Sequence, residues 1–309
     1  MSSCLICLGD LEGRRSAGAY HAACLREMFG VPRIPEIDLE LARLHTAGLA
    51  MVGHVSLSGV QRKIALGLSS DSRTLQVAHG ANRYILKPQT ETFPSLPENE
   101  HVTMKLASLV RIDVPSCGLL LLRDGSPAYV VMRFDRLATG RKLRQEDFCQ
   151  LAEKSPKEKY DGSAELCARV VRNYASEPGV EMWKLYRLLV FNWWVGNGDA
   201  HLKNFSLLSG IDGRHRLSPA YDLVATRLVI PEDQLALPVG GKREHLKRAD
   251  WLALADYCEI LPRAAQRVLA DIAGASERAE SLIERSMLPG AMKADFREMI
   301  RARGEILLG

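Results

Sequence analysis

The tightest constraint on this chain is the stretch from residue 183 to residue 222. Residues 183–194 form a largely apolar run, which reads as a helix turned into a core and leads directly into Gly196-Asn197-Gly198-Asp199-Ala200-His201-Leu202-Lys203-Asn204-Phe205. Gly-Asn-Gly is turn material, so the helix must end there and hand over to a loop. Further on, residues 204–208 and 214–218 read as two strands around a turn at 210–213, and the second strand leads to Tyr221-Asp222. The order is therefore helix, a loop with an Asp and, five positions on, an Asn, then a hairpin and a second Asp. A hairpin folds the chain back on itself, which returns Asp222 beside Asn204.

Phosphoryl transfer needs this set of groups. One carboxylate orients the attacking hydroxyl, while a carboxamide and a second carboxylate hold magnesium against nucleotide phosphates. Magnesium takes few protein oxygens and keeps the rest of its octahedron for phosphate and water. On this reading Asp199 is the base, Asn204 and Asp222 are the magnesium ligands, and Lys203 neutralises charge on the moving phosphoryl group. His201 either contacts nucleotide or supports the loop. Each residue alone is an ordinary turn residue; the reading rests on the joint pattern.

The N-terminal half supplies what the mechanism still lacks. Tyr84-Ile85-Leu86-Lys87-Pro88 reads as a short strand whose Lys87 can reach phosphates, and Ser58, Gly59, Val60, Gln61, Arg62 and Lys63 form a turn that can cover them. Around these, residues 51–68 suggest strand, turn, strand, and residues 98–111 a helix behind acidic residues. Residues 117–122 and 128–132 read as strands flanking Asp124-Gly125. Neither a Walker motif nor G-x-G-x-x-G occurs, which argues against P-loop and Rossmann chemistry. At 309 residues two lobes are expected. Residues 136–147 are the expected hinge, and the chain from about 245 onward reads as a helical tail.

The first stretch is set apart by Cys4-x2-Cys7-x13-His21-x2-Cys24, a spacing that suits a closed tetrahedral zinc site with a structural role. Buried thiols are the alternative. Cys117, Cys149, Cys167 and Cys258 are scattered and read as buried thiols. The N-terminus has neither a basic nor an apolar leader region, so a reducing cytoplasm and no disulfide framework are expected. No apolar run reaches the length of a membrane helix. The net charge of +4 comes from well-mixed residues and does not call for direct nucleic-acid binding.

Taken together, several segments resemble the HipA-family protein kinases, toxins of bacterial toxin-antitoxin systems. They are Ser56-Leu-Ser58-Gly59-Val-Gln61-Arg-Lys63, Ile85-Leu-Lys87-Pro88, Glu98-Asn99-Glu100, Met132-Arg133-Phe134-Asp135-Arg136, Gly196 to Phe205, and Ala220-Tyr221-Asp222-Leu223. The resemblance implies an α+β, two-lobed protein-kinase-like fold with a small strand-rich N-lobe, a larger mostly helical C-lobe, and ATP between them. With the zinc-type segment read from its cysteines as 1–32, the expected divisions are 33–135 for the N-lobe and 136–309 for the C-lobe. Ser/Thr phosphorylation is the implied reaction, with ATP and Mg2+ as cofactors. Carried over by position, Asp199 is the base, Asn204 and Asp222 the metal ligands, Lys87 the phosphate lysine, residues 58–63 the phosphate loop, and Met132, Arg133 and Phe134 the hinge to adenine. His201 and Tyr221 would line the ATP site.

Family kinases autophosphorylate a serine of the phosphate loop, where Ser56 and Ser58 stand. The added charge would repel ATP and displace the loop. The implied partners are an aminoacyl-tRNA synthetase as substrate, a helix-turn-helix DNA-binding protein, and a small antitoxin. That antitoxin would correspond to the N-terminal subdomain of longer relatives, since only some 50 residues precede the loop, as in the short HipT-type form. Tyr221-Asp222-Leu223 replaces the Asp-Phe-Gly of eukaryotic kinases, so an activation-loop switch of that kind does not carry over. A small-molecule or lipid-headgroup kinase and a pseudokinase adaptor remain as alternatives.

Overall fold

The computed structural model describes residues 3–13, 15–37, 61–77, 82–137 and 139–309. The chain forms two units, one from Met1–Lys105, Pro115–Arg133 and Ser281–Pro289, the other from Leu106–Val114, Phe134–Glu280 and Gly290–Gly309.

The first unit holds β1 (Ser16–Ala17), β2 (Tyr20–His21), α1 (Ala22–Phe29), β3 (Glu36–Ile37), β4 (Ile64–Leu68), β5 (Thr74–Val77), β6 (Tyr84–Pro88), the start of α2 (Leu96–Leu109), β7 (Cys117–Leu121) and β8 (Pro127–Met132). Strands β3 to β8 make one sheet in the order β3-β5-β4-β6-β8-β7, in which only β3 and β5 run parallel. β6 is central, paired on one side with β4 and on the other with β8. Side chains on both of its faces are also covered, Tyr84 by Phe29 of α1 and Lys87 by Glu100 of α2, so Tyr84, Leu86 and Lys87 are all buried rather than alternating with exposed residues. Pro88 ends the strand, where a residue without an amide proton does least harm to the ladder. The β7–β8 hairpin turns at the expected place: Gly125 takes φ +81° and the Ser126 amide donates to Asp124 Oδ1 at 2.9 Å.

α2 begins two residues before the stretch its periodicity marks and is buried almost throughout, including Asn99, Glu100, His101 and Thr103. Buried polar groups need partners. Glu100 takes Lys87, and His101 Nε2 lies 3.0 Å from the Ile6 carbonyl. His101 Nδ1 has no hydrogen-bond partner among the described residues.

The second unit is mostly helical: α3 (Phe148–Leu151), α4 (Ala164–Tyr174), α5 (Pro178–Trp194), α6 (Arg248–Tyr257), α7 (Pro262–Ala273), most of α8 (Ser276–Glu284) and α9 (Gly290–Leu308). It also holds a small antiparallel sheet in the order β11 (His215–Leu217), β10 (Ser206–Ser209), β9 (Gln145–Asp147). α5 is its axis. Pro178 starts the helix at a position where the missing N–H costs nothing, and nearly every residue from Glu181 to Trp194 is buried. A helix apolar on all sides belongs inside a core, and α5 packs against α4, α7, α9 and β11. Its polar exceptions are partnered. Arg187 donates to the Val110 carbonyl at 2.8 Å and to Asp271 Oδ2 at 2.9 Å, Glu181 accepts from the Leu217 amide at 3.0 Å, and Trp194 Nε1 donates to the Ile300 carbonyl at 2.9 Å. Cys117 lies buried in the first unit, as Cys149, Cys167 and Cys258 do in the second; all four are free thiols. Among the described residues no helix is long and apolar enough to cross a membrane.

Burial first, and the nearby Lys105 charge second, hold the His101 imidazole down to about 3. An unfolded histidine titrates near 6.5, so between these values the unfolded chain binds more protons than the folded one. Stability is therefore full above pH 6.5 and falls as the pH drops through the window, by at most about 1.4 kcal/mol per pH unit. Urea unfolding between pH 6.5 and 5, above the carboxylate range, should show this slope in the native chain and a flatter one in His101→Gln. Equal slopes would assign the acid sensitivity to other groups.

Candidate active site

The end of α5 sets the loop that follows it. Gly196 takes φ +73° and its amide donates to the Trp193 carbonyl at 3.1 Å, closing the helix. Asn197 then ties the turn back to α5: its amide donates to the Asn192 carbonyl and its Nδ2 to Asn192 Oδ1, both at 2.9 Å. Its own Oδ1 accepts the Asp199 amide at 3.2 Å. The Gly198 amide donates to Thr226 Oγ1 at 2.7 Å, and that hydroxyl is hydrogen-bonded to the Asp233 carboxylate. Burial pushes the Asp233 carboxyl above its ordinary value. A Cβ on Gly198 would collide with Asp233 and lie 2.5 Å from the Gln234 carbonyl oxygen. Only glycine lets the chain pass here.

The loop presents Asp199 partly exposed, with the Tyr160 hydroxyl donating to its Oδ1 at 2.5 Å. The next residues are turned inward. His201 is buried, with the Tyr160 ring edge-on at 5.1 Å between centroids, and its amide donates to Asn204 Oδ1 at 3.1 Å. That bond fixes the Asn204 carboxamide across a single 3-10 turn, Leu202–Asn204. Lys203 Nζ is held by Asp147 Oδ2 at 2.8 Å while remaining about a third exposed.

β10 and β11 carry the chain out and back with Leu207 opposite Leu217 and Ser209 opposite His215. The returning strand delivers Tyr221 to the loop. Its hydroxyl donates to the Lys203 carbonyl at 2.9 Å and is hydrogen-bonded to Ser206 Oγ, which also accepts from Gln145 Nε2 at 3.1 Å. Burial first raises the Tyr221 phenol well above its ordinary value, so it stays protonated and able to donate. Phe134 packs on it with ring centroids 5.6 Å apart. Asp222, the next residue, has φ +56°, a left-handed conformation rare for a residue with a Cβ and concentrated where local strain serves a site. Asp199, His201, Lys203, Asn204 and Tyr221 thus lie in one hydrogen-bonded neighbourhood, with Asp222 adjoining it.

In the first unit, Lys87 Nζ lies 2.5 Å from Glu100 Oε1, with the two side chains 4% and 1% exposed. Its ammonium also sits 5.5 Å from the centre of the Tyr129 ring, in line with the pairing of Lys87 with Tyr129 across β6 and β8. Met132 ends β8, and Arg133 turns its guanidinium to Asn82 Oδ1 at 2.7 Å. Gln61 and Arg62 are half-buried and Lys63 is exposed. Ser56, Ser58, Gly59 and Val60 lie outside the described residues. The ligand atoms of Cys4, Cys7, His21 and Cys24 all lie within 4.8 Å of one another, a set able to hold a metal ion.

Several groups around the loop escaped the sequence reading. Tyr160 lies in an irregular stretch with no periodicity to mark it, and Asp147 is one of many acidic residues until Lys203 is seen beside it. Glu100 had a signal, since it belongs to Glu98-Asn99-Glu100 at the start of a helix that the periodicity marks, but its partner is visible only in the fold.

A family model described as the HipA-like C-terminal domain matches residues 55–280, the span that holds Lys87, the 199–204 loop and Asp222. The chain belongs to that family. Among curated relatives of this family member, a Sinorhizobium fredii protein named "Putative kinase Y4mE" is 33% identical over 244 residues, 74% of this chain and 57% of that one. A Haemophilus influenzae protein named "Putative kinase" is 28% identical over 259 residues, 79% of this chain and 75% of that one. The serine/threonine-protein kinase toxin HipA of Shewanella oneidensis is 28% identical over 212 residues, 60% of this chain and 46% of that one. The chain thus spans 57% of the first of these relatives, 75% of the second and 46% of the third.

Among solved structures, the S. oneidensis toxin-antitoxin complex of HipA, HipB and operator DNA matches with a TM-score of 0.72 at 21% identity, covering 86% of this chain and 70% of the other. The Helicobacter pylori proinflammatory kinase CtkA matches at 0.58 and 15% identity, covering 84% and 94%. These likenesses show the fold: the expected α+β kinase-like architecture is present.

Gly198→Ala should lower stability by about 1–3 kcal/mol, the usual penalty of overpacking a tight site, read as a lower urea midpoint. Gly179, at the start of α5 with nothing within 4 Å of a built Cβ, is the control. Gly179→Ala should be neutral or mildly stabilising.

Proposed function

We propose that this protein is an ATP-dependent serine/threonine protein kinase that acts as the toxin of a bacterial toxin-antitoxin system. The observation that carries this reading is the hydrogen-bonded neighbourhood of Asp199, Asn204 and Tyr221 with Asp222 beside it, together with the buried Lys87–Glu100 pair. Each half has the character that phosphoryl transfer asks for.

Asp199 is the base. The Tyr160 hydroxyl at 2.5 Å fixes the rotamer of its carboxylate so that it can take the proton of a serine or threonine hydroxyl. Asn204 and Asp222 would hold magnesium, which would offset the charge of the ATP phosphates. The donor set fits a hard cation, since it consists of oxygens alone. The His201 amide orients the Asn204 carboxamide, and Asp222 takes a left-handed backbone conformation beside Tyr221. Lys87, paired with Glu100, would meet the nucleotide phosphates as a positioned cation. Lys203, steadied by Asp147, would offset charge on the transferred group. Gln61, Arg62 and Lys63, with Ser58, Gly59 and Val60, would serve as the phosphate loop, and Met132, Arg133 and Phe134 as the hinge toward adenine. His201 supports the loop from within rather than offering itself to solvent.

Membership of the HipA-like family and the toxin named among the relatives support the biological role. We propose an aminoacyl-tRNA synthetase as substrate. We propose a helix-turn-helix DNA-binding partner as well, a reading supported by the S. oneidensis structure, in which HipA is in a complex with HipB and operator DNA. A small antitoxin resembling the N-terminal subdomain of longer relatives, as for HipT-type forms, and a cytoplasmic location complete the proposal.

Incubation with radiolabelled ATP and magnesium should transfer the terminal phosphate to the protein itself and to an aminoacyl-tRNA synthetase. Asp199→Asn should abolish transfer and growth arrest on expression. Equal transfer by that variant would refute the base assignment. Transfer to a small molecule or lipid headgroup without toxicity would replace the protein-kinase reading. Mass spectrometry of protein purified from cells should find phosphate on Ser56 or Ser58; both remaining unmodified after incubation with ATP would remove self-modification of the loop.

A further inference from the structure

We propose that Cys4, Cys7, His21 and Cys24 bind one structural zinc ion, and that the metal-closed turn positions α2, and with it Glu100, by way of edge strand β7. The clause about Glu100 rests on the proposed role of Lys87; the metal site does not.

The ligand set is three sulfurs and one imidazole nitrogen, chemistry that selects zinc over hard cations. Bond lengths of 2.0–2.3 Å around a tetrahedral ion place neighbouring ligand atoms about 3.5–4 Å apart. Cys7 Sγ and Cys24 Sγ lie 3.3 and 3.8 Å from His21 Nδ1. The outer contacts suit a metal as well. His21 Nε2 lies 2.8 Å from the Asp10 carbonyl, which can only accept, so this nitrogen carries the proton and donates while Nδ1 is left as the ligand. The Gly9 amide donates to Cys7 Sγ at 3.4 Å and the His21 amide to Cys4 Sγ at 3.3 Å, so backbone dipoles support two of the sulfurs. The turn is drawn tight to do this: Leu8 takes φ +59°, and the Leu8 amide and the Cys4 amide close it onto the Cys4 and Gly9 carbonyls at 2.8 Å. A Cβ on Gly9 would lie 3.3 Å from Cys7 Sγ and 3.5 Å from His21 Cε1.

The two residues between the first pair of cysteines carry the connection inward. The Leu119 amide donates to the Leu5 carbonyl at 2.8 Å, so the turn covers the open edge of β7, and the Tyr20 hydroxyl donates to the Leu119 carbonyl at 3.1 Å. Ile6 presses so closely on this strand that a Cβ on Gly118 would lie 2.8 Å from Ile6 Cγ1. The Ile6 carbonyl accepts from His101 Nε2 at 3.0 Å, one residue along α2 from Glu100. Lys105 Nζ reaches the Cys117 carbonyl at 2.8 Å from the same helix. The cysteine turn, β7 and the Glu100 end of α2 therefore form one set of contacts. On the other side α1 is fastened to β6, with the Tyr84 hydroxyl donating to the Met28 carbonyl at 2.8 Å and Phe29 packed on the Tyr84 ring. A segment this short gains much of its folding free energy from a bound ion.

The test uses the whole chain and needs no nucleotide, so its failure and the failure of the kinase reading are separate. Elemental analysis of protein purified without added chelator should find one zinc per chain. Replacement by Co2+ should give the visible bands of tetrahedral sulfur-rich cobalt. Cys7→Ser should lose the metal, whereas His21→Cys, which keeps four ligands, should retain it. Amide hydrogen exchange after zinc removal should accelerate at least tenfold in residues 98–106 as well as in 3–24. Asp199→Asn should give the same metal content and the same exchange. Absence of zinc together with colourless protein after Co2+ addition, or a Cys4–Cys7 disulfide in protein kept under reducing conditions, would overturn the metal site. Zinc with faster exchange confined to residues 3–24 would overturn the positioning of α2.

Discussion

The burial of α5 is the constraint on which the site depends. A helix with apolar residues on all sides has no face to give to water, so its direction and end point are set by its neighbours. The loop inherits that precision. Asn197 hydrogen-bonds backward to Asn192 while its side-chain oxygen holds the Asp199 amide forward. Thr226 receives the Gly198 amide from the other side. Asp199 is therefore carried by a rigid helix end rather than by a loose surface segment, which is the kind of placement the proposed base would require.

The Lys87–Glu100 pair is a constraint of a different kind. Two charges in so dry a place seldom add net stability over an apolar pair of the same shape, because desolvation offsets their attraction. Removing either partner alone would still be severe. Such a pair is easier to understand as a device that fixes an ammonium in one position. Its cost is contained by short contacts and by the Tyr129 ring. α2 carries Glu100 as one of several buried polar residues, so the helix cannot slide or rotate without breaking more than one hydrogen bond.

Much of this was legible in the chain. Strand β6 has the bounds its composition marks, and the β7–β8 hairpin turns at Asp124-Gly125 as expected. The helix, loop and hairpin around Asp199 follow the predicted order, because a buried helix, a Gly-Asn-Gly turn and a short alternating hairpin each have strong local signals. The start of α2 was displaced by two residues, since helix ends are weakly encoded when buried contacts decide them. Tyr160 and Asp147 were invisible. Tyr160 has no patterned neighbours, and Asp147, whose local signal is only that of a helix cap with Gln150, gains its place at the site because the fold sets it against Lys203.

The sequence alone determined the periodic elements, the order of the chemical groups and the cluster of Cys4, Cys7, His21 and Cys24, because these depend on spacing and residue type within a few turns of the chain. Tertiary structure alone decided which groups are partnered. The Lys87–Glu100 pair, the Tyr160–Asp199 bond, the Tyr221–Lys203 bond and the contact of Ile6 with His101 join residues separated by 13, 39, 18 and 95 positions. Pairings across such separations depend on how the strands, helices and loops that carry them pack. No local pattern of residues encodes that packing.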